Sequence, residues 1–253
     1  MCIISGPVVS VNGTKILAMP SIGDSSRQLT VYMNAVNTTF DNLMCLPVPH
    51  PASVVFETVP TDVFTQCEHS FMTAATLSVG RSLAFTIAKE LEIRTHGSYE
   101  VVLIPSINDL ERVPSRFAIL TPEVKSFLRS KYPAPFGFLL CRLRAGSANY
   151  EPFAYSHARL DHSSMFLPTM HFHPHDDGSG SSTADWDHAI YTVGTPWSMH
   201  RSSRKSPSHR NQIDWAKMPD GFRWGADVQL RLMEIAGTGE PNRDILAPLA
   251  TAH

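Results

Sequence analysis

The dipeptide Asn12-Gly13 lies between two β-prone runs, Val8-Val9-Ser10-Val11 and Thr14-Lys15-Ile16-Leu17-Ala18-Met19. Both positions tolerate a positive φ, so this is the strongest short signal for a hairpin, and it commits the start of the chain to antiparallel β-structure. Strand-like runs continue from there. In 27–36, Leu29, Val31 and Met33 alternate with Gln28, Thr30, Tyr32 and Asn34, the period of a strand. Further strands are expected at 43–48, 54–56 and 99–104, at 136–143 (apolar up to Arg142, so buried on both faces), at 186–193 and, as the last one, at 228–236. Around the histidines, 165–167 and 169–173 are also β-prone, with Pro168 between them marking an edge or a bulge.

Helical signals are few. Thr61 or Asp62 can cap a short helix carrying Val63, Phe64, Cys67 and Phe71. The best helix is 122–132: Thr121 caps it, Pro122 takes the first position, Glu123 complements the positive end, and Val124, Phe127, Leu128 and Tyr132 share one face. One helical turn is expected at 107–113, and 82–93 reads as helix or strand. The expected architecture is a single α+β domain over 1–236, strand-dominated, closing as a sandwich or barrel with a few short helices, followed by a loosely held tail at 237–253.

Composition narrows the function classes. Net charge is −2 and only 17% of residues are charged, which argues against a dominant nucleic-acid role. The basic stretch Arg201-Ser202-Ser203-Arg204-Lys205-Ser206 reads as an exposed loop. No run of about 18 apolar residues predicts a membrane-spanning helix, and the start of the chain has neither a signal- nor a transit-peptide pattern, so a cytoplasmic protein is expected. The four cysteines show no CxxC pair, and Cys45 and Cys141 sit in apolar runs as small core residues.

Eight of the 12 histidines lie between His157 and His209. At their centre is His171-Phe172-His173-Pro174-His175-Asp176-Asp177. Alternate residues of a strand share a face, so His171 and His173 point the same way and are spaced to bind one metal ion. If the Gly/Ser loop 176–182 folds the next strand back antiparallel, Asp187 or His188 could complete the site. A His/Asp set of His171, His173, Asp187 and His188 suits Zn²⁺, Fe²⁺ or Mn²⁺ better than Ca²⁺ or Mg²⁺; the alternatives are metal-free acid–base chemistry and a polar surface strand whose histidines hydrogen-bond neighbouring aspartates. His157 and His162 are further candidates. An HxH pair also occurs in cupin-type barrels, but the glutamate that pattern wants is replaced here by Asp176 and Asp177.

A second candidate is Cys2. Removal of Met1 would leave a thiol and a free α-amine on one residue, and the amine can act as the base for its own nucleophile. Cys2-Ile3-Ile4-Ser5 resembles the opening of N-terminal-nucleophile hydrolases, among them Met-Cys glutaminases, with Ile3-Ile4 where those carry a glycine. The sequence contains no GxSxG, GxGxxG, P-loop or HExxH.

Leu46-Pro47-Val48-Pro49, preceded by Arg27-Gln28-Leu29-Thr30-Val31-Tyr32, and Phe166-Leu167-Pro168-Thr169-Met170-His171-Phe172-His173 with Asp187-His188 are similar to an uncharacterised bacterial-type family. Its pattern pairs an LPxP strand with a PTxHxH…DH segment. That resemblance brings no activity; it implies that the histidine strand and Asp187-His188 form one unit. The sequence thus supports a His/Asp metal or acid–base site first. Its alternatives are a non-catalytic subunit that buries its apolar surface on protein partners or on copies of itself, and a Cys2 amide hydrolase.

Overall fold

The chain does not turn back at Asn12-Gly13. After β1 (Cys2–Ile4), both runs belong to one strand, β2 (Ser10–Pro20). Gly13 takes the expected positive φ of 60°, but spends it in a bulge, where the register against β3 (Arg27–Thr38) shifts between Asn12 and Lys15. A glycine bulge inserts a residue and adds twist without ending the ladder. The reversal comes at 21–26, where Ser21 N–H donates to Arg27 O (3.0 Å), Arg27 N–H donates to Asp24 O (3.0 Å) and Asp24 Oδ1 accepts from Ser26 N–H (2.9 Å).

The computed structural model describes residues 2–71, 93–117, 119–172, 174, 186–194, 204–205, 211–237 and 242–249. The remaining strands are β4 (Asn42–Pro49), β5 (Val55–Glu57), β6 (Ile93–His96), β7 (Tyr99–Ile104), β8 (Phe136–Leu143), β9 (Gly146–Asn149), β10 (Phe153–Ala158), β11 (Ser164–Leu167), β12 (His171–Phe172), β13 (Trp186–Val193), β14 (Arg204–Lys205), β15 (Leu230–Gly237) and β16 (Ile245–Pro248). The helices among the described residues are α1 (Val63–His69) and α2 (Pro122–Lys131), with short 3-10 turns between elements. The expectations for 82–92 and 176–182 lie outside the described residues.

Six strands form one sheet in the order β12-β1-β4-β8-β7-β6. Eight form a second, β14-β15-β13-β2-β3-β10-β5, with β9 also on β3, and β11 pairs β16 in a small third sheet. Both large sheets are open-ended, so the fold is a mostly-β, sandwich-like α+β arrangement and not a closed barrel. No helix among the described residues is long and apolar enough to cross a membrane.

The alternation of β2 and β3 explains the layering. Ile16, Ala18 and Tyr32 enter the core shared with Met44, Leu46 and Leu139 of the six-stranded sheet. Their neighbours Leu17, Met19, Leu29 and Val31 face the other way, into a second core closed by Val63, Phe64 and Cys67 of α1 and by Ile213, Trp215 and Phe222. On the far side of the six-stranded sheet, α2 lays Phe127 on Phe172 with ring centroids 4.1 Å apart and sets Tyr132 edge-on against Phe136 and Phe138. Being covered on both faces is why every residue of β4 is buried. Truncating a core ring such as Phe138 to alanine is expected to cost about 3–5 kcal/mol.

The polar half of β3 does not face solvent. Gln28, Thr30 and Asn34 are buried, and the Gln28 carboxamide mimics a strand edge. Its Nε2 donates to Phe166 O (2.8 Å) and its Oε1 accepts from Phe166 N–H (2.9 Å). The tail expected to be loose is, over 242–249, tied down. β16 runs antiparallel to β11, Ala247 is buried, and Leu249 N–H donates to Ser163 O (2.8 Å). The last strand among the described residues is therefore β16 rather than β15.

Candidate functional site

β13 is an interior strand, parallel to β2 on one side and antiparallel to β15 on the other, with His188 opposite Thr14 and Ile235. That double pairing fixes where His188 can point. β12 lies in the other large sheet, parallel to β1, with His171 at the register position of Cys2 and Phe172 at that of Ile3. The Asn242 side chain pairs with the His171 backbone as a strand would: Oδ1 accepts from His171 N–H and Nδ2 donates to His171 O, both at 2.8 Å.

The carboxylate of Asp244 anchors the two residues before it. Oδ1 accepts from Thr169 N–H (2.8 Å) and Met170 N–H (2.9 Å), and Oδ2 accepts from the Tyr132 hydroxyl (2.7 Å). Burial raises the Asp244 carboxyl above the ordinary carboxylate value, and these three hydrogen bonds oppose that shift.

Across the gap between the sheets the two imidazoles meet. The His171 and His188 ring centroids are 4.9 Å apart in an edge-to-face arrangement, and the residues are 7% and 2% exposed. Burial drives the His188 imidazole well below its ordinary value, and the nearby His171 acts in the same direction. His188 is therefore a neutral imidazole at pH 7, the form that donates a lone pair to a metal or accepts a proton.

The antiparallel return expected between the two histidine strands is not what unites them. β12 and β13 belong to different sheets, and packing of sheet on sheet brings their side chains together. Asp187 precedes His188, so strand alternation aims it away from the ring junction. Its Oδ2 accepts from Gly13 N–H at the β2 bulge, and its Oδ1 lies 3.8 Å from His188 Nδ1, beyond hydrogen-bond length. The bulge signalled by Asn12-Gly13 thus positions the acidic neighbour of the histidine pair. Of the expected set, the structure brings together His171 and His188 and places Asp187 beside the second; His173 lies outside the described residues. No cluster of three or more His, Cys, Asp or Glu side chains is arranged to hold a metal ion among the described residues.

The other histidine candidates separate from this pair. His157 is buried in β10, its Nδ1 2.8 Å from Ala158 O and its ring stacked on Tyr155 at 5.6 Å. His162 is exposed in the turn before β11. Asn242 and Asp244, which hold His171 in place, had no signal in the sequence beyond polar residues preceding the apolar run Ile245-Leu246-Ala247.

This sandwich-like, mostly-β class is as far as the fold defines the protein. No family model matches the chain, and no curated protein matches it. Among solved structures it is similar to the crystal structure of baculovirus P35, at 12% identity and a TM-score of 0.49 over 96% of this chain and 97% of that one.

Proposed function

We propose that the protein binds a divalent transition-metal ion at the junction of its two large sheets, with the imidazoles of His171 and His188 as ligands. The observation that carries this reading is the contact of two buried imidazoles, one supplied by each sheet. Two nitrogen donors, one of them kept neutral by burial, suit Zn²⁺, Fe²⁺ or Mn²⁺. His173, two residues beyond His171 in sequence, is the next donor in line, and solvent would fill the open positions. A metal there would act as a Lewis acid or would lower the pKa of a bound water. Metal analysis of untagged protein together with Zn²⁺ calorimetry tests the reading. One equivalent per chain, lost in His171→Ala and in His188→Ala, is expected. A folded wild-type protein that takes up no Zn²⁺ at micromolar concentration would overturn it.

The register of Cys2 with His171 favours a second reading, an amide hydrolase with Cys2 as nucleophile after removal of Met1. Intact-mass measurement decides it, because retained Met1 removes the free α-amine on which that mechanism depends.

A further inference from the structure

At one end of the six-stranded sheet, β4 finishes at Pro49 opposite Phe136, where β8 begins, and β7 finishes at Ile104 opposite Phe138. The three segments that leave this edge enclose a groove of about 550 Å³. Its walls are Pro51, Ala52, Pro105, Ile107, Pro135 and Phe136, and among the described residues no Asp, Glu, Lys or Arg lines it. The volume falls within the range of roughly 300–1,000 Å³ typical of small-molecule sites, which are likewise mostly apolar with a few placed polar groups.

Two features make this a built site rather than a gap between loops. Pro51, one of its walls, is pressed against β8 at Gly137, where an added Cβ would collide with Ile104 O and stand 2.7 Å from Pro51 Cβ, so only glycine lets Pro51 sit this close to β8. Its rim carries His50, the one non-glycine residue with positive φ (51°) among the described residues. That strained backbone is held by His50 N–H donating to Pro135 O (3.2 Å), and by Ser53 donating to His50 O through N–H (2.9 Å) and Oγ (2.6 Å).

The polar lining divides cleanly. Ser53 Oγ is engaged with His50 O and with Ala158 N–H, and Ser106 Oγ caps Asn108 N–H (3.0 Å). His50 and Asn108 also line the groove, and neither side chain makes a hydrogen bond to a described residue.

We propose that the groove binds a small, uncharged, largely apolar ring compound bearing one hydrogen-bonding group. The proline and Phe136 walls would take the ring, and His50 and Asn108 would take the polar group. This site is independent of the histidine junction.

The test titrates the purified full chain with the neutral fluorophore N-phenyl-1-naphthylamine, with indole as competitor. Saturable binding with one site per chain is expected, displaced by indole, with indole shifting the His50 ring and Asn108 side-chain NMR signals. Ala52→Trp, which fills the groove from an exposed position, should weaken binding at least about tenfold, or 1.4 kcal/mol. His50→Gly should weaken binding while raising thermal stability, because it removes both the imidazole and the left-handed strain; a variant that lost binding by unfolding would instead show lower thermal stability. Three results would overturn the proposal. The first is absence of saturable binding. The second is binding unchanged by both variants, or tighter for the anionic 1-anilinonaphthalene-8-sulfonate. The third is sedimentation showing a dimer that Ala52→Trp dissociates, which would make the groove a contact between copies.

Discussion

Two places in this molecule bury histidine, and they handle it differently. His157 sits within one sheet. Its Nδ1 is met by the carbonyl of the next residue, and its ring lies on Tyr155 two positions away in the same strand. His171 and His188 come from two sheets and meet ring to ring. The first histidine is locally satisfied and needs nothing more. The second pair exists only because two separate backbones are fixed, one by the strand partners of β13 and the other by Asn242 and Asp244. Burial alone does not distinguish the two; what differs is that one histidine is held within a single strand and the other two converge from independent elements.

The largest expected effect separates these environments. Asp244→Ala leaves the Tyr132 hydroxyl and the Thr169 and Met170 amides without their acceptor in a buried site. It should cost about 4 kcal/mol in urea unfolding and disturb the NMR signals of the His171–His188 pair before those of His157. Equal disturbance of both regions would break the distinction between them.

The next effect is in pH. Burial holds the folded His157 imidazole down to about 4 against an ordinary value of 6.5, and it holds His188 well below 6.5. The unfolded chain takes up these protons as pH falls below 6.5 while the folded chain does not, so stability is full above that value and is lost as pH drops towards 4. For His157 alone the loss reaches about 2.5 kcal/mol by pH 4.5. His157→Phe and His188→Phe should each flatten the stability–pH curve in that window. A bound metal would steepen the His188 contribution alone, because protons and metal compete for the same nitrogen. Stability independent of pH from 7 to 4.5 would contradict the burial of both.

Smaller effects follow. Gln28→Ala removes both hydrogen bonds to Phe166 on the His157 side of the molecule and should cost about 2 kcal/mol, leaving metal uptake intact. Asn242→Ala removes the two bonds to the His171 backbone and should cost about 1–2 kcal/mol while weakening uptake. Calorimetric stability measured beside Zn²⁺ titration reads both variants, and the opposite pattern of uptake would sever the link between Asn242 and the site.

The elements with strong local grammar were legible from sequence. β13 covers 186–193 because a β-prone run ends at Gly194, and α2 starts where the Thr121 hydroxyl accepts from Val124 N–H (3.4 Å). Asn12-Gly13 was legible as a site of positive φ but not in its use, because bulge and turn demand the same glycine and only the partner strand distinguishes them. The sequence paired His171 with His173 and named His188, with Asp187, as a residue that could complete the set, but the cause of the His171–His188 contact was not legible. A Gly/Ser loop suggested strand pairing, whereas the contact comes from sheet packing, which leaves no period in the sequence. Asn242 and Asp244 were illegible because a side chain standing in for a strand partner about seventy residues away has no local pattern.

The central claim, that two sheets jointly present one metal site at His171 and His188, is tested most directly by titrating Co²⁺ into wild-type protein, His171→Gln, His188→Gln and His157→Gln while following visible absorption. The account predicts one Co²⁺ per chain with a ligand-field spectrum in the wild type and in His157→Gln, and none in the two junction variants. A wild-type protein with no Co²⁺ spectrum, or the same spectrum in all four proteins, would contradict it.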